Sequence, residues 1–286
     1  MTVFITVLSV AFLALTQTLM IRLTHESWNY PQLSWVTFFV CTVLSLFIKR
    51  QKISFKSFEV SFYFCLALLC FFKLYIQNTS LAMILIFTFP IFLIFYSLIK
   101  ERKYASWTVF FIGLQTLLGL IILHGQAYVF LGMQQIVLGL VSSIFMTIFY
   151  LRTSAVIKQN HFSFFGFFLN STLLSFCFIL FEKQIIFPSQ ILIKEVFILS
   201  VSIPIGIWGA FYVFFRYLQT WESIDMAFAY FLLPFFHLVF YQIFYSHFPL
   251  SSKDLIGSLA VCAGPILYYV GLSTEKKALM LGAKLD

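Results

Sequence analysis

Two ionisable residues, Lys73 and His237, lie inside long apolar stretches of the sequence. Ionisable side chains are costly in such surroundings, so each is a candidate for chemistry. A lysine ammonium would bind a carboxylate, and an imidazole, which titrates near neutral pH, would carry a proton. Lys73 lies about one helical turn from the end of its stretch, where snorkelling of the ammonium to the surface is an equal alternative. For His237, three residues after Pro234, a hydrogen-bonded core histidine is the equal alternative.

Four aromatic residues on similar stretches, Tyr75, Trp208, Tyr212 and Tyr230, are candidates for lining a binding cavity. Aromatic faces stack on planar groups and attract cations. Phe, Trp and Tyr make up 21% of the chain, so every helix face carries some of them. The four residues are therefore candidates by type and position only.

The sequence lacks the motifs of common enzyme classes, such as H-E-x-x-H, G-x-S-x-G, D-D-x-x-D and the P-loop. Asp225, Glu222 and the distant His161 do not make a convincing acid–base cluster. All five cysteines lie in apolar stretches and none forms a C-x-x-C pair, which predicts buried thiols without disulfides or metal. We expect no enzyme activity and no cofactor, although a membrane-embedded enzyme or a scaffold subunit is an alternative.

The composition is typical of a membrane protein. Of 286 residues, 62% are hydrophobic and only 10% charged, and the mean hydropathy is +0.99. Helices that are apolar on all sides belong in a bilayer. Ten apolar stretches follow one another, at about 3–22, 32–48, 60–77, 79–99, 106–123, 129–150, 162–181, 196–217, 225–245 and 254–272. The sequence therefore predicts an all-α polytopic membrane protein with ten transmembrane helices, of which the first is a retained helix and not a signal peptide.

The distribution of lysine and arginine predicts the orientation in the membrane. With the N-terminus in the cytoplasm, thirteen of the 18 basic residues fall in inside segments: Lys49, Arg50, Lys52, Lys56, Lys100, Arg102, Lys103, Arg152, Lys158, Arg216, Lys276, Lys277 and Lys284. Four fall outside, namely Arg22, Lys183, Lys194 and Lys253, and Lys73 is within a stretch. We expect both termini in the cytoplasm. This asymmetry also accounts for the net charge of +8 without a nucleic-acid partner.

The two halves of the chain carry a repeated pattern. Pro90 lies near the middle of the fourth apolar stretch, and Pro234 follows 144 residues later near the middle of the ninth. The same spacing separates Gly113, in the tripeptide FIG, from Gly257, in LIG. A proline inside an apolar helix removes one backbone donor, and a mere packing kink at Pro90 is an even alternative to a functional one. Repeats with interrupted helices in corresponding places point to a secondary transporter.

The repeat defines two domains, residues 1–127 and residues 128–286, each with five helices. Because five is an odd number, the second half enters the membrane from the opposite side, and the repeat is expected to be inverted. No other linker or insert is long enough to hold a further domain.

The order of these features resembles the drug/metabolite transporter superfamily, in its ten-helix EamA-like branch. The matching elements are NTSLA at 78–82, Pro90, KER at 100–102, the Gly113/Gly119 helix, ESIDMA at 222–227, Pro234, LIG at 255–257 and AG at 263–264. The tail from 244 is similar to the end of the S-adenosylmethionine transporters. One departure is that members commonly close both halves with a glutamate. Glu101 fits the first place, whereas the second reads Tyr245, Ser246 and His247.

The resemblance implies a secondary transporter with a central substrate cavity between two inverted repeats, reached alternately from either side. We expect it to move a small organic metabolite, an amino acid or an amino-acid-derived compound such as S-adenosylmethionine, across the bacterial inner membrane. The expected partners are this solute and the lipid bilayer, with the chain a monomer or a homodimer. A drug or lipophilic-cation exporter is the main alternative.

Overall fold

The chain folds into helices throughout its described length. The computed structural model describes residues 2–25, 29–47, 54–77, 79–86, 88–101, 107–124, 132–182, 197–217, 223–244 and 252–280. Within these ranges the α-helices are α1 Thr2–His25, α2 Tyr30–Ser45, α3 Phe55–Gln77, α4 Thr79–Ile86, α5 Phe89–Tyr96, α6 Trp107–His124, α7 Met133–Lys158, α8 Phe164–Glu182, α9 Ile203–Tyr217, α10 Ser223–Tyr230, α11 Leu233–Phe244 and α12 Ser252–Met280. Short π-helical turns, Ser97–Glu101 and Ile198–Ser202, extend α5 and precede α9.

Each of the ten predicted apolar stretches is helical where the structure describes it. Two of them are divided, because α4 and α5 share the fourth stretch and α10 and α11 share the ninth. Two others are longer than predicted: α7 continues to Lys158 and α12 to Met280, whereas the apolar runs end near 150 and 272. A helix satisfies its own backbone hydrogen bonds, so it continues past the apolar run until a breaking residue or turn ends it.

The distribution of polar and apolar side chains differs from that of a soluble protein. Many large apolar residues face outwards, and Phe111, for example, is 64% exposed. Serine and threonine side chains are buried between the helices, and Ser57, Ser61, Ser143 and Thr153 have no exposure at all. Small hydroxyl residues let membrane helices approach closely, while an apolar surface suits lipid.

In the described part of the chain, three helices are long and apolar enough to cross a membrane: Phe55–Tyr75, Met133–Lys158 and Ile198–Arg216. Six shorter apolar helices accompany them. The lengths, the composition and the outward apolar faces indicate a helical membrane protein.

The helices associate mainly across the two halves of the chain. The most extensive pairs are α6 with α12, α3 with α7, α2 with α8 and α1 with α9. Further pairs join α3 to α8, α9 to α2, α1 to α11 and α5 to α10. Neither half forms a separate bundle, so residues from both halves surround the centre of the molecule.

Regularly spaced hydrogen bonds give the relative direction of two helix pairs. Between α3 and α8, the Ser57 hydroxyl accepts from the Ser163 amide at 2.9 Å and the Ser61 hydroxyl donates to the Phe167 carbonyl at 2.9 Å, and both pairs are 106 residues apart. A constant difference in residue number means that α3 and α8 run parallel. Between α2 and α9, Trp208 Nε1 donates to Ser45 Oγ at 3.2 Å and Cys41 lies against Pro204, both 163 residues apart. The second pair is therefore parallel as well.

Glycine permits a close approach of α6 and α12. A Cβ atom on Gly119 would lie 2.8 Å from the Val261 amide nitrogen and 2.9 Å from Ala260 Cβ. Gly113, on the same helix, faces α5, where its Cβ would lie 2.9 Å from Ile94 Cδ1. Gly257, its counterpart in the predicted repeat, is buried on α12. The glycines of the predicted repeat therefore lie at packed positions.

Replacing Gly119 with alanine should destabilise the protein, because the new methyl group would collide with the α12 backbone, and overpacking of this kind costs about 1–3 kcal/mol. Gly209→Ala on α9 is the matched control, since nothing lies within 4 Å of a Cβ there. That substitution should leave stability unchanged or raise it by up to about 1 kcal/mol through higher helix propensity. The thermal unfolding midpoints of both variants in one detergent measure the difference. Equal midpoints would show that α6 and α12 are not in this contact.

Candidate functional site

Two helix interruptions lie at corresponding places in the halves. Helix α4 ends at Ile86 and α5 begins at Phe89, while α10 ends at Tyr230 and α11 begins at Leu233. Each boundary in the second half lies 144 residues after its counterpart in the first half. Pro90 and Pro234 are the second residues of the helices that follow the interruptions, α5 and α11. A proline ring clashes with the preceding turn, and proline lacks an N–H donor. The sequence predicts kinks at these positions, and the structure divides both helices there.

The local hydrogen bonds of the two interruptions also correspond. The Thr88 amide donates to the Leu85 carbonyl at 3.1 Å, and the Leu232 amide donates to the Ala229 carbonyl at 3.2 Å. Both bonds close tight turns of three residues, in place of the four of an α-helix. The same backbone geometry therefore recurs with the same spacing.

Hydroxyl groups on α7 satisfy the backbone around the first interruption. Proline at 90 leaves the Ile86 carbonyl without its helical donor, and Ser143 Oγ lies 3.4 Å from that oxygen. Ser143 also hydrogen bonds to the Leu85 carbonyl and accepts from the Thr88 hydroxyl at 2.9 Å. Thr147, one turn further, lies 3.5 Å from the Phe89 carbonyl. In a membrane, such groups must supply the partners that water would supply elsewhere.

A cavity of about 90 Å³, here named the aromatic chamber, lies between the two interruptions. Ile86 and Phe89 line it from the first interruption, and Tyr230 and Leu233 from the second. Other lining residues come from α1, α2, α3, α7 and α9, and include Gln17, Tyr30, Phe72, Tyr75, Tyr150 and Phe211. Both halves of the chain therefore contribute to one central cavity.

Three rings form a compact group where the interruptions meet. Phe89 stacks on Tyr150 with centroids 5.2 Å apart. The rings of Tyr150 and Tyr230 are 4.8 Å apart, and Phe89 meets Tyr230 edge-on at 5.3 Å. These separations are within the favourable range for aromatic pairs. Tyr230 ends α10 and Phe89 begins α5, so the ring group connects the two interrupted helices directly.

A second cavity of about 210 Å³, the mouth chamber, adjoins the first. Both are lined by Tyr30, Phe38, Leu68 and Phe72, and the rings of Tyr30 and Phe72 stack on each other at this junction. The mouth chamber also carries polar groups: Asn29, Ser34, Lys73, Gln77 and Ser175. Lys73 and Gln77 are exposed. The cavity system therefore reaches the protein surface at the Lys73 end of α3.

Packed aromatic rings close the opposite end of the cavity system. Phe149, Phe167, Phe211, Phe214 and Phe215, here named the aromatic plug, form a continuous group in which Phe167 lies 5.6 Å from Phe211 and 5.3 Å from Phe215. All five are buried. Beyond the plug, Arg152 Nε lies 3.3 Å from a Glu59 carboxylate oxygen, and Lys56 donates to Gln159 at 2.7 Å. The chambers are therefore open at the Lys73 end and closed at the Glu59 end.

The structure brings together some of the sequence-predicted site residues and not others. Tyr75 and Tyr230 line the aromatic chamber, and Lys73 lines the mouth chamber. Trp208 and Tyr212 stack on each other with centroids 5.5 Å apart and line neither chamber. Trp208 instead donates to Ser45 on α2, and Tyr212 is 38% exposed.

His237 lies on α11, four residues after the first residue of that helix, Leu233. It lines neither chamber. Its Nδ1 is 2.8 Å from the Thr18 hydroxyl on α1. Thr18 can donate to the Ala14 carbonyl at 2.9 Å while it accepts from this ring nitrogen. His237 therefore links one interrupted helix to the helix that packs beside it.

Three contributors to the site, Phe89, Tyr150 and Ser143, are absent from the sequence-based candidates. Phe89 could have been found from its place next to Pro90. Ser143 begins an i, i+4 pair of hydroxyls with Thr147 on an otherwise apolar helix, which is a recognisable signal. Nothing in the sequence distinguishes Tyr150 from the other aromatic residues.

Acidic groups contribute little to the described site. Asp225, in the first turn of α10, accepts a hydrogen bond from the Tyr268 hydroxyl at 2.9 Å, while Glu222 lies outside the described residues. Across the described ranges, no group of three His, Cys, Asp or Glu side chains is placed to hold a metal ion.

No protein-family model and no curated protein matches the sequence. Among solved structures, one described only as the crystal structure of a protein is similar to this chain, with a TM-score of 0.72. The likeness covers 94% of this chain and 95% of the other, at 13% sequence identity. At this identity the likeness shows a shared fold and carries no information about function.

Replacing Ser143 with alanine should loosen the first interruption, because the Ile86 carbonyl, which has no helical donor, would lose its hydroxyl partner. A buried polar group without a partner costs about 1–3 kcal/mol. Thr153→Val on the same helix is the control, since its hydroxyl donates to Phe149 within its own helix at 2.6 Å. We expect a lower unfolding midpoint and faster amide exchange around Thr88 for Ser143→Ala only. Equal effects of both substitutions would contradict the role assigned to Ser143.

Proposed function

We propose that this protein is a secondary transporter that moves a small organic metabolite by alternating access. The observation that carries the proposal is the pair of helix interruptions, 144 residues apart, that border one central chamber. Interrupted helices in corresponding places of two repeats are typical of secondary transporters.

The helix contacts support a repeat of residues 1–127 and 128–286. In this repeat α1, α2, α3 and α6 correspond to α7, α8, α9 and α12, and the interrupted helix α4–α5 corresponds to α10–α11. Exchanging the halves converts the α3–α7 pair into α9–α1 and the α3–α8 pair into α9–α2, and all four pairs are in contact. The α2–α8 and α6–α12 pairs convert into themselves. This is the contact pattern of a pseudo-two-fold axis.

The hydrogen-bond spacing supports an inverted repeat. Helix α3 runs parallel to α8, and α2 runs parallel to α9. If α2 and α3 cross the membrane in opposite directions, then α2 also opposes α8, its counterpart in the second half. The ten apolar stretches would then be ten spans, arranged as two inverted sets of five.

In this proposal the present conformation is open at the Lys73 end and closed by the aromatic plug. The pseudo-two-fold exchange relates α7 and α9, which supply Phe149, Phe211, Phe214 and Phe215, to α1 and α3. Separation of α7 from α9, with closure of α1 on α3, would open the chamber to the opposite side. The solute would remain between the two interruptions in both states.

The sequence features favour the bacterial inner membrane as the location, with both termini in the cytoplasm and the chain a monomer or homodimer. We propose membership of the drug/metabolite transporter superfamily, in its EamA-like branch, on the residues that resemble it. The Lys73 end would then face outwards, and the Glu59–Arg152 end would face the cytoplasm.

For the solute, we propose an amino acid or an amino-acid-derived metabolite such as S-adenosylmethionine. Lys73 at the mouth would attract a carboxylate, and the aromatic chamber would accept an apolar or sulfonium group. A lipophilic-cation exporter is the second candidate, because the lining of the aromatic chamber is largely apolar and would attract cations through its rings. Such a cation would gain nothing from Lys73.

A gradient or an exchange reaction would supply the energy, since the sequence has no nucleotide-binding motif. We propose His237 as the proton-sensitive group. Its hydrogen bond to Thr18 joins α11 to α1, and α1 is one of the helices that would move. Protonation of the ring would then alter the contact between them.

Substitution of Lys73 with alanine should reduce uptake of carboxylate-bearing solutes into proteoliposomes. The loss of a charged hydrogen-bond partner raises the solute concentration for half-maximal uptake roughly ten- to hundredfold. Lys253→Ala, at another exposed lysine predicted on the same side, is the control and should behave like the wild type. Equal transport of apolar cations by wild type and Lys73→Ala, without uptake of amino acids, would favour the exporter instead.

A reporter enzyme fused after Asp286 should be active when it requires the cytoplasm and inactive when it requires the periplasm. The excess of basic residues in the predicted inside segments is the physical reason. A fusion within 125–131, between the fifth and sixth predicted spans, should give the opposite result. Periplasmic activity of the Asp286 fusion would require an odd number of spans or a reversed orientation.

A further inference from the structure

The mouth chamber and the aromatic chamber are neighbouring cavities with two different chemistries. They share Tyr30, Phe38, Leu68 and Phe72. We infer that the transported solute carries a planar ring and a carboxylate, and that it binds with its ring in the aromatic chamber and its carboxylate at Lys73. This inference rests on the proposed transport function and specifies its substrate class.

The mouth chamber suits an anionic group. Lys73 supplies one cation with three donors, and Asn29 and Gln77 supply amide donors beside it. No acidic residue is among the described residues that line this chamber. A carboxylate would therefore gain charge-assisted hydrogen bonds there without like-charge repulsion.

The aromatic chamber suits a planar ring. Phe89, Tyr150 and Tyr230 lie 4.8–5.3 Å from one another, and a further ring can pack on them at similar separations. The described lining contains no charged side chain, and Gln17 supplies an amide to the wall. An aliphatic chain would gain burial in this chamber but no ring contacts.

The junction between the chambers favours the same class of solute. Tyr30 and Phe72 line both chambers, so a solute that enters from the mouth meets aromatic side chains before it reaches the aromatic chamber. Phe72 and Lys73 both line the mouth chamber. A ring and a carboxylate joined by a short chain would therefore reach aromatic and cationic groups at the same time.

Binding of four small probes to the full chain in lipid nanodiscs, measured by isothermal titration calorimetry, tests this inference. The probes are 3-phenylpropionate, its neutral amide, butyrate and phenethylammonium. We expect 3-phenylpropionate to bind at least tenfold more tightly than each of the others, because only it has both groups. Lys73→Gln should reduce its affinity to that of the amide and leave the amide unaffected, which also shows that the variant is folded.

Phe72→Leu should weaken both 3-phenylpropionate and its amide, whereas Lys253→Gln should change neither. Equal affinities for the four probes, no binding of any of them, or an unchanged preference in Lys73→Gln would each overturn the inference. Counterflow in proteoliposomes separates it from the transport proposal. If 3-phenylpropionate binds preferentially but is not taken up, the transport proposal is wrong and the binding site stands. If butyrate or phenethylammonium is taken up preferentially, the substrate class is wrong and the transport proposal stands.

Discussion

The missing N–H group of proline within an apolar helix is the constraint on which the rest of the structure depends. A bilayer offers no partner for the carbonyl that proline leaves free, so the interruption must lie inside the protein. The hydroxyls of Ser143 and Thr88 surround the backbone of the first interruption. Irregular backbone of this kind is tolerated where it lines a cavity. A cavity beside Pro90 and Pro234 is therefore expected.

Side-chain size then determines how the helices arrange themselves around the chamber. Small and hydroxyl residues allow close contact, as between Gly119 and Ala260 or between Ser61 and the Phe167 carbonyl. Phenylalanine is too large for such contacts. Among the described residues it faces outwards, like Phe111, lines the chambers, like Phe89, or fills the aromatic plug. Repacking of the plug rings would exchange few polar partners, as the proposed alternating access would require.

The sequence predicts the helices and the two special prolines because length, apolar character and proline chemistry are local properties. The helical character of all ten stretches is confirmed in the described residues, and the equal spacing of Pro90 and Pro234 recurs in the interruptions. The cavity lining was harder to predict, since it depends on which helix faces meet. Tyr75 and Tyr230 line the aromatic chamber, whereas Trp208, an aromatic candidate on the same grounds, packs towards Ser45. Tyr150 carries no local signal at all.

Distances between spin labels at the two ends of the cavity system test alternating access most directly. One pair of labels would replace Asn29 and Gln77, which line the mouth chamber. The other pair would replace Lys158 and Arg216, which lie in the last turns of α7 and α9. In lipid, each pair should show a short and a long distance. Any condition that favours the long distance at one end should favour the short distance at the other. Distances that stay fixed at both ends, or that lengthen together, would contradict a transporter built around the two interrupted helices.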